Sequence, residues 1–167
     1  GLVYFCNPNN PTGTVHSPAA VESFIRRVQR ESPNTKMLID EAYINYAADD
    51  AMQTALPLAM EFENVFITRS FSKAHGMAGL RVGYALGQEA TLDAVSSAWG
   101  MGDINMLSAI AAITAFNDKE HIDWERQENT EIRAFVVAAF NDMGYEVPNS
   151  HTNHIFVNLG KPAKEFR

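Results

Sequence analysis

The chain has 167 residues, 46% of them hydrophobic and 20% charged, which is typical of a globular protein that buries a core. Its net charge of -7 argues against nucleic acid as a partner, because an acidic surface repels phosphate backbones. No apolar run approaches the roughly 20 residues that cross a bilayer, and the single cysteine, Cys6, excludes an internal disulfide and offers no metal-site spacing. We therefore expect no membrane partner and no bound metal ion.

Both ends of the chain look internal. It opens directly on the apolar residues Leu2–Cys6, without the basic and apolar stretches that would mark a secretory signal. It closes on residues 164–167, which are typical of the first turn of a helix after Pro162. We therefore expect an internal piece of a longer protein that acts in the cytoplasm, with any targeting signal lying upstream of Gly1.

Short apolar segments alternate with segments of helical periodicity along the chain. The first element is a buried strand at Leu2–Cys6, and a helix follows, because Ser17 and Pro18 are typical of a helix start. This alternation predicts a parallel or mixed sheet covered by helices on both faces. The remaining predicted strands are 37–39, 65–67, 82–86 and 155–157. The remaining predicted helices are 88–99, 104–116 and 120–143, the last as one long helix or two.

Polar residues follow three of the predicted strands at the points where the strands end. They occupy residues 7–12, 40–43 and 70–73. Ligands of open α/β sheets bind at the carboxyl ends of the strands. The three segments therefore predict one shared ligand site.

Lys73 follows the strand at 65–67 and is surrounded by small and apolar residues. Desolvation makes an amine more nucleophilic, so Lys73 is a candidate for covalent chemistry. Ser70, Ser72 and Arg81 suit a phosphate, because hydroxyl donors and a planar guanidinium bind its oxygens. The alternative is that Lys73 is a surface lysine and Arg81 a structural arginine. If Lys73 stood alone, this interpretation would be preferred.

Asp40 and Tyr43 follow the strand at 37–39. A carboxylate at a strand end can pair with a protonated ring nitrogen, and a phenol three residues later can reach a hydroxyl on the same ring. For Asp40 a helix cap is an equal alternative, and for Tyr43 so is core packing. Asn10, kept extended by Pro11, can donate its amide hydrogens at a fixed place, whereas taken alone it predicts an ordinary turn.

Taken together, three segments resemble the fold-type-I pyridoxal-phosphate (PLP) aminotransferases of class I/II in their residues, order and spacing. They are 9–13 (NNPTG), 40–43 (DEAY) and 70–73 (SFSK) followed by Arg81, and the resemblance covers essentially the whole chain. Within that family the histidinol-phosphate aminotransferases are the most similar group. The similarity to that group lies in residues 38–43, 73–81, 103–105, 147–150 and Asn153.

That group usually has phenylalanine after the asparagine, whereas this chain has His154. The departure leaves the identity of the substrate open. For both His75 and His154 we favour a structural role over contact with substrate.

The resemblance implies a role for each candidate residue. Lys73 would form the Schiff base with PLP and then move a proton between the substrate carbon and the cofactor. Asp40 would hold the pyridine nitrogen protonated, which makes the ring an electron sink. Tyr43 and Asn10 would hydrogen-bond the ring oxygen. The phosphate-binding residues would be Ser70, Ser72 and Arg81, and Ser70 is the better candidate of the two serines.

The resemblance also implies a domain organisation. Residues 1–120 would form an N-terminally incomplete, three-layer α/β/α PLP-binding large domain, and residues 121–167 the start of a smaller α+β domain. The complete protein would be a homodimer that moves an amino group between an amino acid and a 2-oxo acid or a phosphorylated amino alcohol. Further phosphate donors, a ring-stacking aromatic residue and an arginine for the substrate carboxylate would lie outside this chain, so we expect the chain alone to be inactive.

Two other functions remain open on the same core. A PLP-dependent decarboxylase or lyase would share these motifs and differ in its products. An aminotransferase-like sensor domain of a transcription regulator would keep Lys73 without turnover, and would need a basic DNA-binding domain upstream of Gly1. The acidic charge of this chain argues against the regulator.

Overall fold

A computed structural model describes residues 1–48, 50–99 and 103–166, with the side chains of Trp99, Ala163 and Phe166 outside the description. Four strands form one sheet in chain order: β1 (Leu2–Cys6), β2 (Lys36–Asp40), β3 (Val65–Ser70) and β4 (Gly83–Gly87). Strands β1, β2 and β3 run parallel, and β4 runs antiparallel to β3. The predicted mixed, mostly parallel sheet is confirmed.

Five α-helices accompany the sheet in the described part of the chain. They are α1 (Pro18–Glu31), α2 (Leu56–Glu61), α3 (Glu89–Trp99), α4 (Met106–Asn117) and α5 (Lys119–Asp142). Short 3-10 helices lie at Ile44–Tyr46, Ala78–Leu80 and Ala163–Phe166. Four of the α-helices, all but α2, lie where the sequence predicts them.

Helix α1 begins at the predicted cap. The hydroxyl of Ser17 accepts a hydrogen bond from the backbone N of Ala20 at 3.3 Å, and Pro18 occupies the first turn. One face of the helix carries Val21 and Ile25, which are 5% and 0% exposed. A capping hydroxyl contributes about 1 kcal/mol, so the cap defines where the helix starts while the buried face defines how it lies on the sheet.

The main core lies between one face of the sheet and helices α1 and α2. Side chains alternate between the two faces of a strand, so every second residue of β2 and β3 enters this core. Fully burying an aliphatic side chain of this size contributes about 1.5–3 kcal/mol, so this face anchors the sheet. The buried strand residues are Met37, Ile39, Val65 and Ile67, each at most 1% exposed.

The opposite face of the sheet is open at β1, where Leu2 and Tyr4 are 70% and 62% exposed. Because β1, β2 and β3 are parallel, the loops that follow them all leave the same edge of the sheet. The polar segments predicted at 7–12, 40–43 and 70–73 therefore start from one edge.

Helix α2 lies outside the predicted elements. It has six residues, too few to show a helical period, and it includes Pro57 in its first turn. The backbone N of Ala55, its N-cap residue, donates to the buried carboxylate of Glu41 at 2.7 Å. A helix this short forms only with such tertiary support.

The strand predicted at 155–157 is wrong. These residues alternate in burial, with Phe156 43% exposed, but no described strand lies beside them. A β-strand exists only through hydrogen bonds to a neighbouring strand, so an alternating sequence does not make one by itself.

Helix α5 is 24 residues long and packs with its first half on the turn at Ile44–Tyr46. The Tyr46 hydroxyl donates to Glu125 Oε1 at 3.1 Å, and Arg126 Nε donates to the Asn45 carbonyl at 3.0 Å. These bonds tie α5 to the loop that follows β2. Neither α5 nor any other described helix is both long and apolar enough to cross a membrane.

Candidate active site

Three of the predicted site residues meet around the ring of Tyr43, which is 5% exposed. Asn10 Nδ2, in the loop after β1, donates a hydrogen bond to the Tyr43 hydroxyl at 3.0 Å. Lys73 Nζ, in the loop after β3, lies 5.2 Å from the centre of the same ring, within the range of a cation–π contact. We call Asn10, Tyr43 and Lys73 the Tyr43 cluster, and it unites the loops after three parallel strands.

Asp40 is the last residue of β2, and both of its carboxylate oxygens accept hydrogen bonds. Oδ1 accepts from the backbone N of Ala42 at 3.0 Å, and Oδ2 accepts from the hydroxyl of Tyr4. The 3-10 helix that follows has Tyr43 as its N-cap, so Asp40 is not a helix cap. These two donors hold the carboxylate from both of its oxygens.

Tyr4 is a residue at this edge that the sequence alone did not single out. Its hydroxyl bond to Asp40, followed by burial and the charge of that carboxylate, raises the pKa of Tyr4 above its ordinary value. The available signal was strand periodicity: Cys6 pairs with Asp40 in the register, and Tyr4 lies two residues earlier on the same face of β1.

A second carboxylate, Glu41, is 1% exposed and fully bonded. It accepts from Arg69 Nε and Nη2 at 3.0 and 2.8 Å, from the Thr54 hydroxyl at 2.9 Å, and from the backbone N of Ala55 at 2.7 Å. We call these four residues the Glu41 clasp. Because Glu41 follows β2 and Arg69 lies in β3, the clasp holds the ends of the two strands in a fixed relation. The sequence predicted neither residue as part of the site.

Compact turns place Lys73 after β3. The Ser70 hydroxyl accepts from the backbone N of Ser72 at 3.0 Å, and the Lys73 carbonyl accepts from the backbone N of Gly76 at 2.8 Å. Gly76 has φ 66°, a left-handed conformation that glycine adopts without strain. No ion pair joins Lys73 to a carboxylate within the described ranges. The Lys73 side chain is half-buried, and its amine lies beside an aromatic ring with no carboxylate partner in the described part of the chain.

Arg81 follows the 3-10 helix at Ala78–Leu80 in a left-handed conformation, with φ 55° and ψ 48°. This conformation costs a non-glycine residue about 1–2 kcal/mol, and such strain is concentrated at binding sites. Its guanidinium is exposed, and Nη1 donates to the Ala78 carbonyl at 2.9 Å. The described hydrogen bonds do not join Arg81 to Ser70 or Ser72, so the structure brings these three predicted phosphate ligands to one edge without connecting them.

His154 packs against the Tyr43 cluster. Its ring meets the Tyr43 ring edge-on, with 5.1 Å between centres and 77° between planes. Its Nε2 atom is buried without a hydrogen-bond partner among the described residues. Burial lowers the pKa of His154 and the charge of Lys73 lowers it further, while a hydrogen bond with the Asn9 backbone raises it. The neutral ring is therefore favoured beside Lys73.

The segment that carries His154 is docked on the loop after β1. The Gly13 carbonyl accepts from the backbone N of His151 at 2.7 Å, and the Ser150 hydroxyl donates to the His154 carbonyl at 2.6 Å. Gly13 has φ 73°, and a Cβ at this position would lie 2.3 Å from Ser150 Oγ. Glycine therefore suits this position, where the segment that carries His154 meets the loop after β1.

His75, for which the sequence also favours a structural role, packs among side chains outside the Tyr43 cluster. Its ring lies 4.7 Å from that of Phe71, and Asn45 Nδ2 lies 3.5 Å from its Nε2. Burial, and to a lesser extent the charge of His121, lowers the pKa of His75. These contacts support the structural role that we favoured.

Comparison with known proteins identifies the family. The aminotransferase class I and II family matches residues 1–167. The chain belongs to this family. The resemblance that we found in the three loop segments is confirmed.

Two similar proteins are named as aminotransferases, in agreement with this family. The chain is 40% identical over 158 residues to the histidinol-phosphate aminotransferase of Lactiplantibacillus plantarum, a match that covers 93% of this chain and 43% of the relative. It is 37% identical over 165 residues to the aromatic amino acid aminotransferase of Mycobacteroides abscessus, with 99% and 46% covered. The chain therefore spans about half the length of the curated relatives that it matches.

A solved aminotransferase structure has the same fold. The crystal structure of histidinol-phosphate aminotransferase from Sinorhizobium meliloti in complex with pyridoxal-5'-phosphate superposes with a TM-score of 0.85 at 31% identity, covering 98% of this chain and 43% of that one. The predicted α/β fold class, that of the large domain of PLP-dependent aminotransferases, is confirmed.

Proposed function

We propose that the complete protein is a PLP-dependent aminotransferase and that this chain supplies most of its cofactor site. The observation that carries the proposal is the Tyr43 cluster, which lies at the carboxyl ends of the parallel strands with Asp40 at the end of β2. Membership of the class I and II aminotransferases supports the same conclusion.

The groups at this edge fit PLP chemically. A carboxylate suits the pyridine nitrogen, an amine suits the aldehyde, a phenol–amide pair suits the ring oxygen, and hydroxyls with a guanidinium suit the phosphate. The residues that supply these groups are Asp40, Lys73, Tyr43 with Asn10, and Ser70, Ser72 and Arg81.

Bound PLP supplies a ring that withdraws electrons from the substrate carbon. The role we propose for Asp40 is to keep the ring nitrogen protonated, and its two hydrogen-bond donors hold the carboxylate in place at the end of β2. Lys73 would hold the aldehyde of the cofactor through its Nζ and would carry the proton at that atom. Its side chain is half-buried, with Nζ beside the Tyr43 ring and no ion pair to a carboxylate among the described residues.

Tyr43 and Asn10 would hold the ring oxygen, since the two side chains already share a hydrogen bond at 3.0 Å. Ser70, Ser72 and Arg81 would hold the phosphate. The Ser70 hydroxyl lies at the turn that places Lys73, and the strained backbone of Arg81 would be compensated by a charge-assisted phosphate contact.

For the complete protein we propose an amino acid as donor and a 2-oxo acid or a phosphorylated amino alcohol as partner substrate. The names of the two relatives support this range and do not choose within it. We also propose a homodimer in the cytoplasm, with residues 1–120 in the cofactor-binding domain and residues 121–167 beginning the smaller domain.

The test uses the full-length protein with Lys73→Ala, and Lys119→Ala as a control at an exposed lysine. We expect the wild type and the control to take up PLP with the absorbance of a protonated imine, which borohydride removes. Lys73→Ala should lose this absorbance and all turnover, because no other amine replaces the nucleophile. A full-length protein that shows no imine absorbance with PLP contradicts the proposal.

Product analysis then separates the two alternatives. An aminotransferase converts its PLP to pyridoxamine phosphate when an amino donor is added alone. Release of carbon dioxide from the donor would identify a decarboxylase. Uptake of PLP without conversion of any donor, together with DNA binding, would identify a regulator.

A further inference from the structure

Tyr4 is placed to contact Asp40 by the register of the sheet. The pairs are Tyr4 with Leu38 and Cys6 with Asp40, so Tyr4 and Asp40 are diagonal neighbours on adjacent strands. Such neighbours lie about 7–8 Å apart at Cα, a distance that a tyrosine side chain spans. The Tyr4 hydroxyl donates to Asp40 Oδ2.

Burial does not account for this contact. Within this chain Tyr4 is 62% exposed, so the packing of these residues leaves its ring free to turn, yet its hydroxyl bonds to the carboxylate. The other oxygen of Asp40 is held by the backbone N of Ala42 at 3.0 Å. With one donor on each oxygen, the plane of the carboxylate has a defined rotation.

We propose that Tyr4 is a positioning residue, whose hydroxyl fixes the Asp40 carboxylate in the orientation that receives the ring nitrogen of PLP. The inference rests on the proposed function, because it needs Asp40 to bind that nitrogen. Hydrogen bonds to a charged group are the stronger kind in proteins, and their donors orient the group as well as stabilise it. Phenylalanine in place of Tyr4 would keep an aromatic ring on this face of the sheet, but without the hydroxyl it could not orient the Asp40 carboxylate.

The test measures PLP affinity in the full-length protein and its Tyr4→Phe variant by equilibrium titration. A second titration uses a PLP analogue in which carbon replaces the ring nitrogen, which needs no carboxylate. We expect Tyr4→Phe to weaken PLP binding about 10-fold, the loss of one hydrogen bond to a charged group, and to change binding of the analogue less than about 2-fold. A residue that merely packs beside the site would affect both ligands equally.

Two comparisons sharpen the result. Tyr145 follows α5 and packs on Phe140 near the end of that helix. Tyr145→Phe should therefore leave the affinities for PLP and for the analogue unchanged. In an Asp40→Asn background, Tyr4→Phe should no longer change PLP affinity, because the two residues act as one unit.

Equal weakening of PLP and the analogue, or no weakening of either, overturns the role of Tyr4 and leaves the proposed function intact. A wild-type protein that binds neither ligand overturns both. Equal affinity of the wild type and Asp40→Asn for PLP overturns the role of Asp40 and that of Tyr4 with it.

Discussion

Asp40 and Glu41 are adjacent in the chain, and the structure surrounds their carboxylates differently. Glu41 is 1% exposed and receives donors from Arg69, Thr54 and Ala55. Asp40 is half-buried and receives two donors, one of them from an exposed tyrosine. The Glu41 clasp is thus a buried, closed network, whereas the Asp40 carboxylate is half-buried and one of its two donors comes from an exposed side chain.

The difference shows how this molecule separates support from chemistry. A fully buried carboxylate that is paired with an arginine is costly to disturb, which suits Glu41 to holding β2 and β3 together. A carboxylate that is held in place but still accessible can bind a ligand without first breaking a network. The supporting carboxylate of Glu41 and the accessible carboxylate of Asp40 are thus neighbours in the chain at one edge of the sheet.

The largest effect should come from breaking the clasp. Glu41→Ala leaves Arg69 partly buried without its partner, and we expect the full-length protein to lose about 3–5 kcal/mol of stability in urea unfolding. Asp40→Ala, one residue away, should lose far less stability and should lose PLP affinity. Equal losses of stability in the two variants would remove the contrast between the two carboxylates.

A smaller effect should come from the contact between Gly13 and Ser150. Gly13→Ala combines a left-handed backbone with a Cβ 2.3 Å from Ser150 Oγ, so we expect a loss of about 2–4 kcal/mol in the same unfolding measurement. Gly144→Ala is the matched control, because Gly144 has φ 86° and, apart from its chain neighbours, no described residue within 4 Å of the added Cβ. A loss no greater than that of the control would show that the close approach to Ser150 is not required.

The smallest effect concerns acid stability. Burial, then the charge of Lys73, lowers the pKa of His154 from its ordinary 6.5, so the unfolded chain binds this proton more readily than the folded one. Stability should therefore be highest above about pH 6.5 and should fall as the pH drops below it. Unfolding midpoints from pH 8 to pH 5 should fall less in His154→Phe than in the wild type. Parallel pH profiles for the two proteins would exclude His154 as a source of acid sensitivity.

Local chemistry made much of the fold and site predictable. Ser17 and Pro18 define a helix start through their own side chains, and the strand at Leu2–Cys6 shows as a continuous apolar run. The polar segments that end β1, β2 and β3 predicted a shared edge, because parallel strands present their carboxyl ends together. The same reasoning failed at 155–157, since a strand needs a partner that the pattern of one segment does not specify.

The sequence by itself determined the strand ends, the helix starts and the residue types gathered at one edge of the sheet, because these depend on neighbours a few positions away. Only the tertiary structure decided that Tyr4 bonds Asp40, that Glu41 joins Arg69, and that His154 lies against Tyr43. Each of these contacts joins residues between 28 and 111 positions apart, so strand register and loop docking, not local preference, bring them together.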